Sequence, residues 1–108
     1  MSPLQDAQHP ILERIATALI DAIPEHWTFA QLRLIAPAKG IGTYPESASH
    51  SITNPTHPHE FLAPTEELST ATWDLEQICR SHRSYWKRVV ITVRLFDGDW
   101  DWAAKFEY

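Results

Sequence analysis

Val89-Val90-Ile91-Thr92-Val93-Arg94-Leu95-Phe96 is β-branched and alternating, Asp97-Gly98 follows, and Asp99-Trp100-Asp101-Trp102-Ala103-Ala104-Lys105-Phe106-Glu107-Tyr108 alternates again. Two such runs joined by Asp-Gly predict a β-hairpin with a two-residue turn. The loop length sets the register, which places Leu95 opposite Trp100, Val93 opposite Trp102, Ile91 opposite Ala104 and Val89 opposite Phe106. One face of the hairpin is then wholly apolar. On the other face Arg94 stands opposite Asp101 and Arg88 opposite Glu107, and a slip of one residue loses both the apolar face and the charge pairing.

Upstream of the hairpin, Thr65 is a candidate helix N-cap with Glu66 and Glu67 in the first turn. Leu68, Ala71, Leu75, Ile78 and Cys79 recur at helical spacing, and Arg80, His82 and Arg83 stand near the end, where the helix dipole favours cations. Asn54-Pro55-Thr56-His57-Pro58-His59-Glu60 reads as a loop by its prolines. Trp27 to Ala36 alternates as a half-buried strand, Pro37 to Gly42 turns the chain, and Ile41 to Tyr44 and Ala48 to Thr53 read as further short, edge-like strands. Pro10 suits the first turn of another helix, whose stripe is Ile11, Ile15, Leu19 and Ile23, widened by Leu12 and Ala16, and which ends before Pro24.

The order α-β-β-(β)-α-β-β predicts an α+β fold, a mostly antiparallel sheet of four to five strands with two helices packed on one face. Trp100, Trp102, Phe106 and Tyr108 are expected to supply much of the helix-facing surface. A length of 108 residues predicts a single domain over 1–108, and 44% hydrophobic residues with five Trp and four Phe suffice for its core. The single cysteine, Cys79, excludes an internal disulfide and reads as a buried thiol. No apolar run reaches the length of a membrane span, and the N-terminus lacks a basic-then-apolar leader, so a cytoplasmic location without a membrane partner is expected.

The net charge of -5 is uneven. Residues 1–79 hold ten Asp/Glu against three Lys/Arg, whereas residues 80–108 hold four against six. An acidic excess argues against direct nucleic-acid binding and favours a basic protein partner.

Catalytic and metal motifs are sparse. His57-Pro58-His59-Glu60, with His50 nearby, is the only local histidine cluster; its spacing matches no zinc template, so no metal or other cofactor is expected. His26 and His82 read as a turn residue and a helix-end residue. Asp97, Asp99 and Asp101 lack the order of a calcium loop, because Gly98 falls between the first two and the flanking tryptophans demand a strand. There is no GxSxG, and three glycines leave little for a phosphate-binding loop, so the chain is not expected to be an enzyme. Trp73 and Trp86 fit neither apolar stripe and are candidates for an interface.

The chain resembles the YezG-type immunity proteins of bacterial polymorphic toxin systems. The resemblance runs from about Ile11 to Tyr108 and rests on Ile23-Pro24-Glu25-His26-Trp27 after the first helix, on Trp86, and on the closing Phe96-Asp97-Gly98-Asp99-Trp100 with Lys105-Phe106-Glu107-Tyr108. It implies a small cytoplasmic antitoxin that binds and neutralises a cognate toxin domain, with a nuclease as the class suggested. A nuclease must hold a polyanion and is therefore basic, so an acidic inhibitor surface would steer association. Glu46, Glu60, Glu66, Glu67, Asp74 and Glu76 gather in the loop and second helix, with Trp73 as an apolar anchor, and form the expected partner-binding patch. The alternatives are an adaptor or chaperone for a secreted effector, and a small hydrolase built on His57, His59 or Glu60.

Overall fold

The alternation of the last twenty residues folds into the expected hairpin. In the computed structural model, which describes residues 3–36 and 48–108, β3 (Arg88–Phe96) and β4 (Asp99–Glu107) pair antiparallel with Leu95 opposite Trp100, Val93 opposite Trp102, Ile91 opposite Ala104 and Val89 opposite Phe106. Asp97 and Gly98 both take positive φ, 52° and 83°, the signs a type I′ turn requires and whose twist matches that of the paired strands. Arg94 faces Asp101 in register, and Arg88 forms an ion pair with Glu107.

β3 also pairs antiparallel with β1 (Phe29–Ile35), and β1 with β2 (Ser49–Thr53), giving the sheet order β2-β1-β3-β4. α1 (Pro3–Ala22) and α2 (Glu66–Ser81) pack on each other and cover one face of this sheet. The architecture is therefore α+β in the order α-β-β-α-β-β. The expected strand over Ile41 to Tyr44 lies outside the described residues. Along each strand, every second residue enters the core: Ala30, Leu32 and Leu34 from β1, Ile52 from β2, Val89, Ile91 and Val93 from β3. They meet Ile15 and Leu19 of α1 and Leu68 and Leu75 of α2, and each fully buried aliphatic side chain of this kind stabilises the fold by roughly 1.5–3 kcal/mol.

The ends of α2 show how local chemistry sets its limits. Thr65 accepts the Leu68 N–H through its side-chain oxygen, as an N-cap should. At the other end the Ser84 N–H reaches the Cys79 carbonyl and the Arg83 N–H reaches the Arg80 carbonyl, a Schellman closure that requires a left-handed residue. Arg83 occupies that position at φ 56°, where glycine is usual.

Three details depart from expectation. α1 begins at Pro3, ahead of Pro10, which sits inside the helix. Proline there forgoes one backbone bond, but tertiary contacts hold the extra turns: Gln8 donates to Cys79 Sγ at 3.3 Å, and the His9 ring lies 5.6 Å from that of Trp102. Trp86 is not free for an interface; it is 2% exposed and belongs to the core, because the short link between α2 and β3 turns it inward. Tyr108 lies beyond β4 and stays 65% exposed, stacked beside Phe106, so the helix-facing row of the hairpin is Trp100, Trp102 and Phe106.

Among the described residues, no helix lies on the second face of the sheet. Arg33, Arg88, Arg94 and Lys105 stand there beside Asp101 and Glu107, over shallow depressions between β1, β3 and β4. This face therefore carries both signs of charge. Among the described residues, no helix is long and apolar enough to cross a membrane.

Candidate functional site

The β1–β2 register brings two distant turns to one end of the sheet. Gln31 pairs with Thr53, so the residues before β1 run alongside those after β2. The first turn is closed by the Trp27 N–H bonding the Pro24 carbonyl at 3.0 Å. The second is a double turn: the His57 N–H bonds the Asn54 carbonyl, the Glu60 N–H bonds the His57 carbonyl, and the Asn54 side chain accepts the Thr56 N–H. Asn54 is 3% exposed, which fixes the base of the loop.

Glu60 is the hub of the resulting cluster. Its carboxylate accepts the indole N–H of Trp27 and lies 2.9 and 3.1 Å from His26 Nε2 through its two oxygens. His57 Nδ1 stands 3.6 Å away. The rings pack as well: His57 stacks parallel to Trp27 at 6.1 Å between centroids and meets His26 edge-on at 4.9 Å. Trp27 is 1% exposed, so a buried indole holds an exposed carboxylate in place. The Trp27 N–H lowers the Glu60 pKa most; burial opposes the shift, and His26 and His57 reinforce it.

The acids expected to form one patch are distributed among different environments. Glu46 lies outside the described residues. Glu66 and Glu67 are exposed in the first turn of α2 and, with Thr65, Thr70 and Arg14, border a shallow depression of about 640 Å³. Asp74 is bound in an ion pair to Arg14 of α1. Trp73 is 40% exposed, with the Arg80 guanidinium 5.3 Å from its ring centroid. Glu76 is a correction: it is 2% exposed, so it cannot belong to a surface patch, and its carboxylate accepts the Ala48 N–H at the entry to β2. Burial pushes its pKa up, outweighing the Ala48 hydrogen bond and the attraction of Arg80.

The residue that local reasoning missed is His26, which joins His57 and Glu60 from 34 residues before Glu60. His50 is not part of the group; it bonds the Thr72 hydroxyl at 2.7 Å under α2, where burial lowers its pKa. Cys79 is fully buried, and burial pushes its thiol pKa up, which suits a core residue rather than a nucleophile. In sequence, the chain matches no protein-family model and none of the curated proteins.

Proposed function

We propose that this chain is an immunity protein that binds a cognate secreted toxin domain one to one and neutralises it without chemistry of its own. The observation that carries the reading is the exposed face of α2, where Glu66 and Glu67 stand free at the start and Trp73 follows two turns later. An acidic rim beside a half-exposed tryptophan suits a basic partner, with the charges steering approach and the ring anchoring the contact. The resemblance to YezG-type immunity proteins supports the same reading, and a toxin that grips nucleic acid would present the complementary charge. Glu76, being buried, takes no part, and Asp74 contributes less because it is already paired.

The test is co-expression with the candidate toxin domain, scored by survival, pull-down and toxin activity in the complex. Survival with an inactive complex supports immunity by direct binding. A stable complex that stays toxic points instead to an adaptor, and the absence of a complex overturns both. Glu66→Lys with Glu67→Lys is expected to slow association and flatten its salt dependence in a protein that still folds. An unchanged on-rate moves the interface elsewhere.

A further inference from the structure

We propose that His26, His57 and Glu60 form a binding site for a divalent transition-metal ion of the zinc type, independent of the toxin-binding face of α2. Two imidazoles and one carboxylate are a ligand set that favours zinc and its neighbours over magnesium or calcium, which take oxygen donors. The spacing suits a small tetrahedral ion. With metal–ligand bonds of about 2.0–2.1 Å, neighbouring donors in a tetrahedron lie about 3.3–3.4 Å apart. Here Glu60 Oε2 lies 3.1 Å from His26 Nε2 and 3.6 Å from His57 Nδ1, and one donor atom from each of the three residues lies within 4.8 Å of the others.

The surroundings are those of a supported site. The Trp27 indole N–H fixes one carboxylate oxygen, the outer-sphere contact that orients metal-binding carboxylates. His57 is held flat against Trp27, and the double turn from Asn54 to Glu60 fixes the spacing of the two loop ligands. Metal ligands must be deprotonated, so uptake should weaken as pH falls. Three protein ligands leave a fourth position to water. The ion ties the turn before β1 to the loop after β2 and stabilises the folded chain by mass action.

The experiment titrates Zn²⁺ alone into the full, untagged, chelator-washed chain against a chromophoric competitor, and Co²⁺ in parallel for its visible spectrum. One ion per chain is expected, with a tetrahedral Co²⁺ spectrum and a rise in thermal midpoint. His26→Ala and His57→Ala should each weaken binding about tenfold or more, on the scale by which even an outer-sphere contact alters metal affinity. Glu60→Gln, which keeps an acceptor for Trp27, should do the same, whereas His9→Ala and His82→Ala, on α1 and at the end of α2, should leave affinity unchanged. Equal affinity in the wild type and the folded His26→Ala/His57→Ala double variant overturns the proposal, as does equal loss in the His9 or His82 variants. Neither result bears on toxin binding.

Discussion

Glu76 and Glu60 are both carboxylates held by hydrogen bonds to nitrogen, one in the seam between α2 and β2 and one on the turns beside β1, and their acidities move in opposite directions. For Glu76 the Ala48 N–H and Arg80 do not compensate for burial, and the pKa rises. For Glu60 the Trp27 N–H and the two histidines outweigh the small loss of solvent, and the pKa falls. A hydrogen bond therefore does not by itself decide how a carboxylate ionises; the balance with desolvation does. In this protein the buried acid closes a strand entry, while the exposed acid gathers the chemically versatile side chains.

The largest effect is expected where the buried acid is removed. Glu76→Ala leaves the Ala48 N–H without its acceptor inside the core and should cost roughly 1–3 kcal/mol in urea unfolding. Glu76→Gln retains an oxygen and should cost much less. The pH profile separates the two roles. The folded pKa of Glu76 lies above the unfolded one, so the unfolded chain releases its proton first, and this group costs stability increasingly as pH rises from the ordinary glutamate range through the folded value. Glu76→Gln should remove that decline. Equal losses for the alanine and glutamine variants would mean that the hydrogen bond contributes nothing beyond packing.

The same contrast explains what the sequence could and could not reveal. The hairpin register was legible because Asp97-Gly98 and the alternation on either side carry it within twenty residues. The start of α2 was legible because Thr65 and its first-turn acids are adjacent. Glu76 was misread by its charge, although it stands four residues after Thr72 and three before Cys79, both buried on the same helical face. The meeting of His26 with Glu60 was missed for a different reason. It depends on the β1–β2 register, and nothing as local as a two-residue turn fixes that in the sequence.

Asp74 provides the intermediate case, a half-exposed acid paired across the two helices with Arg14. Asp74→Asn should lower stability by about 0.2–1 kcal/mol at low salt, with the difference shrinking as ionic strength rises. A loss that salt does not diminish would place this pair nearer to Glu76 in character than its exposure indicates.

Glu60→Gln should change stability least at neutral pH, because the amide oxygen still accepts the Trp27 N–H and the site is open to solvent. Its signature is the pH dependence, opposite in sign to that of Glu76. The folded pKa of Glu60 lies below the unfolded one, so its contribution is present above the ordinary glutamate range and is lost as pH falls from there through the folded value. The wild type and Glu60→Gln should therefore differ by a constant amount at neutral pH and converge on acidification. If the gap persists below the carboxylate range, the Glu60 charge does not hold the two turns together, and the stacked rings of Trp27, His57 and His26 carry the cluster instead.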